Sequence, residues 1–101
     1  MPKEEVEILK CLANDIRYGI LQILRDEEKC VCEIIEELDQ EQSLISHHLK
    51  SLKECGFLEK RRAGRKVIYS ISDPSVLEFM DQVEDLCVDF CNVGTSDISE
   101  S

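Results

Sequence analysis

No stretch of this 101-residue chain reaches the roughly 18 continuous apolar residues of a membrane span. The N-terminus, Met1-Pro2-Lys3-Glu4-Glu5, is charged and has no apolar signal region. Repeats are absent, and so are low-complexity segments ahead of the polar last eight residues. There is no phosphate-cradling loop and no recognisable pair of nucleophile and base, which argues against an enzyme. These absences predict a cytoplasmic protein with no membrane partner. Basic residues are also scarce: 12 Lys and Arg stand against 22 Asp and Glu, for a net charge of −10. A chain of that balance is not a generic nucleic-acid binder. Its length fits one small domain, with a core modest enough that a second copy could supply further burial.

The distribution of charge says more than its sum. Between Lys50 and Lys66 seven basic residues (Lys50, Lys53, Lys60, Arg61, Arg62, Arg65, Lys66) face only Glu54 and Glu59. That segment carries +5 and the remainder −15. An acidic body with one basic edge orients on DNA through that edge.

Hydrophobic spacing predicts a mainly α chain with a small β-hairpin. A first helix covers residues 4–13. Asn14 is a suitable N-cap for a second, with Ile16, Ile20, Leu21 and Leu24 at helical spacing. The solvated run Arg25-Asp26-Glu27-Glu28-Lys29 ends it, and a third helix runs from Cys30 to Leu38. Ser43 is the expected cap of a fourth helix, Leu44 to Cys55, with Ile45, Leu49 and Leu52 on its apolar face and Gly56 as its stop. Two strands follow, residues 57–62 and 65–71, about a tight Ala63-Gly64 turn. Asp73-Pro74 starts the last helix, where Val76, Met80, Val83, Cys87 and Phe90 recur at coiled-coil spacing. Residues 1–93 read as the domain and 94–101 as a disordered polar tail.

The order α-α-α-α-β-β-α is that of a winged helix-turn-helix. The fourth helix would enter the major groove of double-stranded operator DNA. Gln42, Ser43, Ser46 and His47 are the candidate base or phosphate contacts, and Lys50 and Lys53 the candidate phosphate contacts. Arg61, Arg62, Arg65 and Lys66 flank the hairpin tip and would reach the backbone or the minor groove. His47 and His48 chelate one ion poorly, because adjacent helical residues point about 100° apart. One is expected outward and the other half-buried.

These segments resemble the ArsR/SmtB family of metal-responsive winged-helix repressors. The resemblance rests on Leu9-Lys10-Cys11-Leu12-Ala13-Asn14-Asp15-Ile16-Arg17, Lys29-Cys30-Val31-Cys32-Glu33-Ile34, Gln42 through Leu52 with its Ser46-His47-His48-Leu49, Gly56-Phe57-Leu58, and Gly64-Arg65-Lys66-Val67-Ile68-Tyr69. It spans roughly residues 5 to 91. It implies a homodimer held by the first and last helices, and repression of a nearby operon relieved by an effector. Such a dimer would read two half-sites about one helical turn apart. Cys30-Val31-Cys32 is similar to the thiolate motif of the family's arsenite and cadmium/lead sensors. The family's zinc-type site on the last helix uses Asp and His, and no His follows His48 here.

Six cysteines stand at 11, 30, 32, 55, 87 and 91. In a reducing cytoplasm, free or metal-bound thiols are expected over disulfides. Cys30 and Cys32 are the leading metal ligands. Their thiolates converge on one ion if the first helical turn is extended, and diverge in a regular helix. Arsenite takes three thiolates, and cadmium or lead three or four soft ligands. The pair is therefore half a site, its third ligand open among Cys11, Cys55, Cys87, Cys91 and the partner subunit. Cys87 and Cys91, at i and i+4, share a helix face and are further candidate ligands, although Cys87 on the seam also suits packing. Cys11 reads as core and Cys55 as packing. The expected function is a repressor released from its operator by As(III) in first place, or by Cd(II) or Pb(II). The alternative is a thiol–disulfide redox switch on the same fold. No cofactor is expected to be required for folding.

Overall fold

In the computed structural model the elements run α1 (Lys3–Leu12), α2 (Asp15–Leu24), β1 (Lys29–Cys30), α3 (Val31–Leu38), α4 (Gln42–Glu54), β2 (Leu58–Ala63), β3 (Lys66–Ile71) and α5 (Pro74–Glu100). The structure describes the backbone of residues 3–100 and the side chains of residues 4–88.

Asn14 makes the break between α1 and α2. Its backbone is extended, and its side-chain oxygen accepts from the amides of Ile16 (2.9 Å) and Arg17 (3.1 Å). Those amides have no partner within the helix, and such a cap is worth about 1 kcal/mol. Helix α2 then buries Ile20, Leu21 and Leu24. Against them lie Ile34 of α3 and the stripe Ile45, Leu49 and Leu52 of α4, buried as their spacing predicts. Each such side chain contributes roughly 1.5–3 kcal/mol by leaving water.

Helix α4 starts earlier than expected. Glu41 is its N-cap residue, so Ser43 lies inside the first turn and does not cap it. Gly56, with φ of 94°, reverses the chain after α4. A left-handed backbone there favours glycine.

The hairpin is wider by one strand than the sequence predicts. Strand β1 pairs antiparallel with β3, Lys29 opposite Tyr69 and Cys30 opposite Ile68, giving the order β1-β3-β2. The observed order is thus α-α-β-α-α-β-β-α. A two-residue strand held by backbone pairing leaves no side-chain period to read, so it is hidden in a run that looks solvated. The turn is displaced by one residue: Ala63 pairs with Lys66, leaving Gly64-Arg65 as the two-residue loop. Gly64 supplies the positive φ, 64°, that such a loop requires. Arg65 therefore sits at the wing tip itself.

Helix α5 opens as Asp73-Pro74 predicts. The Asp73 carboxylate accepts from the Ser75 amide at 2.9 Å, and hydrogen bonding from the Ser75 side chain, then from this amide, holds it below its ordinary pKa. Val76 and Met80, expected on an intersubunit seam, are buried in the domain's own core. Heptad spacing marks an apolar stripe but not the surface it meets. Val83 is half-buried and Cys87 exposed, while the side chains of Phe90 and Cys91 lie outside the described residues. The backbone stays helical to Glu100, over most of the stretch expected as a disordered tail. Once a helix is nucleated, each further residue adds a hydrogen bond. A glycine within a helix, as at Gly94, costs only about 1 kcal/mol relative to alanine. Arg25, at the end of α2, forms ion pairs with Asp81 and Glu84 of α5.

Candidate nucleic-acid interface and thiol site

The buried stripe of α4 decides which side chains it presents. With Ile45, Leu49 and Leu52 turned inward, Gln42, Ser43, Ser46, His47, Lys50 and Lys53 are all exposed. His48 is buried among the inward residues, as the outward-and-inward expectation for the two histidines requires. Its Nδ1 accepts from Arg17 Nε at 3.0 Å, and Arg17 also donates to the Cys11 carbonyl at 3.3 Å. Burial, followed by the charges of Arg17 and His47, lowers the His48 pKa. A neutral imidazole accepting from a guanidinium is therefore the stable state, and His48 locks α4 to α2.

Strand alternation sorts the wing. Leu58 is buried, so Lys60 and Arg62 share its helix-facing side, while Glu59 and Arg61 face away. The register agrees: Lys60 lies opposite buried Tyr69, and Arg62 opposite Val67. Arg61 is ion-paired with Glu28 on the other side. Of the wing residues named from sequence, Arg65 and Lys66 border the same cleft as Gln42 and Ser46, and Arg61 and Arg62 do not. Lys60, absent from the expected contacts, is in that cleft. Counting by twos from Leu58 would have found it.

The cleft has a volume of about 470 Å³ and lies between α3, the start of α4 and the wing. Cys30 and Cys32 form part of its wall. Cys30 is the N-cap of α3, with extended backbone (φ −79°, ψ 161°), and its amide donates to the Glu33 carboxylate at 2.9 Å. That extension brings the two sulfurs together, and they are joined as a disulfide. The Cα atoms are 5.4 Å apart, within the span of such a bond. Cys30 is 3% exposed and Cys32 is exposed. Opened by reduction, the pair would offer two converging sulfur ligands to a soft ion, with Lys60, Arg65 and Lys66 lining the same cleft. Among the described residues, no group of three or more Cys, His, Asp or Glu is placed to hold a metal. The pair could supply two ligands to a thiophilic ion, fewer than the three or four such an ion takes.

Cys87 is exposed on α5 and is not among the residues lining this cleft; Cys91, its expected companion, has its side chain outside the described residues. Cys11 is buried, as expected. Cys55 is exposed and not a packing residue. Two apolar pairs are also exposed, Ile8 (45%) with Leu9 (57%) on α1 and Leu86 (54%) with Val88 (56%) on α5. No helix among the described residues is long and apolar enough to cross a membrane.

Comparison with known proteins gives these features a setting. The profile of the family described as "Bacterial regulatory protein, arsR family" matches residues 14–60, from the α2 cap to the wing. The chain is 38% identical over 85 residues to an HTH-type transcriptional regulator of Methanocaldococcus jannaschii, covering 83% of this chain and 96% of that one. It is 40% identical over 67 residues to the HTH-type transcriptional repressor SmtB of Mycobacterium tuberculosis, covering 66% of this chain and 50% of that protein. An arsenic resistance transcriptional regulator of Pseudomonas putida is 43% identical over 75 residues, with coverage of 73% and 58%. The chain thus spans about half the length of the curated repressors it matches. Among solved structures, the homodimeric winged helix-turn-helix DNA-binding domain of a possible ArsR-family regulator from Mycobacterium bovis superposes with a TM-score of 0.78. That pair is 28% identical, with coverage of 83% of this chain and 78% of that one.

Proposed function

The chain belongs to the ArsR family of winged-helix transcriptional regulators, a family of DNA-binding proteins and not of enzymes, and from that premise we propose that it is a repressor released from operator DNA by a soft metal or metalloid. Arsenite is the first candidate effector, followed by Cd(II) and Pb(II). One observation carries the reading: the thiol pair and the candidate DNA contacts Gln42, Ser46, Arg65 and Lys66 line the same cleft. The arsenic resistance regulator among its relatives supports the metalloid.

The geometry supplies a mechanism. Helix α4 enters the major groove, and Gln42, Ser43, Ser46 and His47 meet base edges or phosphate. Lys50, Lys53, Arg62, Arg65 and Lys66 hold the backbone, with Lys60 added from the cleft. Cys30 joins both reading elements: its backbone is paired with the wing strand at Ile68, and it caps α3, which packs on α4. A ligand that draws Cys30 and Cys32 into its own coordination geometry therefore acts on the wing and on the helix-turn-helix together. It releases DNA to the extent that it binds the DNA-free arrangement more tightly. A third thiolate would come from a cysteine outside the pair, the candidates being Cys11, Cys55, Cys87, Cys91 and the partner subunit. Two copies would associate through α1 and α5, covering Ile8, Leu9, Leu86 and Val88; the homodimeric relative supports this. The cytoplasm is the proposed compartment.

The disulfide between Cys30 and Cys32 supports a second reading, a redox switch at the same place. Titration of labelled upstream DNA, with arsenite added to the complex, tests the first. Wild-type protein should dissociate, and the Cys30→Ser/Cys32→Ser protein should stay bound. Release of the double variant at the wild-type arsenite concentration would overturn the proposal. Release of wild type by mild oxidant, with no stoichiometric arsenic bound, would favour the redox switch.

A further inference from the structure

Helix α4 carries a second thiol pair at its other end. Cys11, in the last turn of α1, is 4% exposed, and its thiol points at the Ser51 carbonyl oxygen, 3.9 Å away. The Cys55 amide donates to that same oxygen at 3.0 Å. One backbone carbonyl thus gathers the buried thiol and the residue that caps α4. Both cysteines, with Arg17 and Lys10, border a pocket of about 290 Å³ that opens to solvent, and Cys55 is exposed within it.

We propose that Cys55 and Cys11 are a peroxide-responsive thiol pair that closes to a disulfide between α1 and the end of α4. In the first step the Cys55 sulfur attacks one oxygen of a hydroperoxide. The O–O bond breaks, Cys55 becomes a sulfenic acid, and with hydrogen peroxide the other oxygen takes up the Cys55 thiol proton and leaves as water. In the second step the Cys11 sulfur attacks the Cys55 sulfur. The S–O bond breaks, the Cys11 proton leaves with that oxygen as a second water, and the S–S bond forms. The two thiols are oxidised by two electrons and the peroxide is reduced by two.

The two members have different tasks. Cys55 meets the oxidant because it is exposed. Cys11 stays protonated until then: burial, and next the neighbouring Cys55, push its pKa up to about 11, against the opposing pull of Arg17. The pair shares no cysteine with the cleft, and its assignment does not depend on what the cleft binds.

Trypsin separates the two pairs, which makes the test direct. Cys11 falls in the peptide of residues 11–17, Cys55 in 54–60, and Cys30 with Cys32 together in 30–50. The full chain, fully reduced, is treated with graded hydrogen peroxide, blocked with an alkylating agent, digested without reductant and weighed. The expected product is peptide 11–17 joined to 54–60, lost on adding dithiothreitol. In Cys55→Ser, an exposed and conservative change, Cys11 should remain alkylatable throughout. Oxidation of Cys55 to a sulfinic acid with Cys11 still alkylated would overturn the proposal. So would peptide 54–60 joined to a second copy of itself, or closure of 30–50 at peroxide levels that leave both 11–17 and 54–60 reduced.

Discussion

The cleft between α3, α4 and the wing differs sharply from the surface of α1 and α5. The cleft is lined by Lys60, Arg65, Lys66, Gln42 and Ser46. Among the described residues, α5 exposes Glu78, Asp81, Glu84 and Asp85 along with Leu86 and Val88, and α1 exposes Ile8 and Leu9. A charge of −10 thus coexists with a DNA-binding reading because the two signs are separated in space. The acidic surface repels DNA and directs the basic one toward it. Its apolar residues are suited to a second copy of the chain.

Both surfaces rest on the buried stripe of α4, so the largest expected effect lies there. Ile45→Ala should cost about 2–5 kcal/mol of stability, read as a lowered urea midpoint, because the cavity lies in a close-packed core. A loss below about 1 kcal/mol would mean that α4 is not what holds the cleft together. Next comes Gln42→Ala, expected to cost about 1–3 kcal/mol of operator affinity and little affinity for unrelated DNA. Equal losses on both would reassign Gln42 to phosphate.

A finer contrast lies within one strand. Lys60→Ala should lower the slope of log affinity against log salt by about 1. Arg61→Ala should leave that slope alone and cost only about 0–1 kcal/mol of stability, since Arg61 is turned away and paired with Glu28 at the surface. Reversed results would invert the wing's assigned faces. The mildest effect is on pH dependence. The His48 pKa is lowered in the folded protein, so the unfolded chain binds the proton first as pH falls. Stability should therefore drop as pH falls from above the ordinary histidine value of about 6.5, the loss being complete below the folded pKa. Replacing His48 with Gln should flatten that part of the curve.

Much of this contrast is legible in the sequence, and the rest is not for identifiable reasons. The α4 stripe, the Asn14 cap, the Asp73-Pro74 start and the division of labour between His47 and His48 follow from periodicity and local hydrogen bonding. Strand β1 does not, because two residues have no period. Arg61 and Arg62 look alike until buried Leu58 sets the phase of the strand. Val76 and Met80 have the spacing of a seam, yet spacing does not say which surface they meet. The closeness of Cys11 and Cys55 comes from two helices 44 residues apart in the chain, a tertiary contact with no local signature.

The central claim is that effector and operator compete through Cys30 and Cys32. Linkage makes this measurable in both directions. Arsenite affinity should be determined for the reduced protein alone and saturated with operator. The account predicts that operator weakens arsenite binding by the same factor by which arsenite weakens operator binding, and that both factors fall to one in Cys30→Ser/Cys32→Ser. Equal arsenite affinity with and without operator would contradict it.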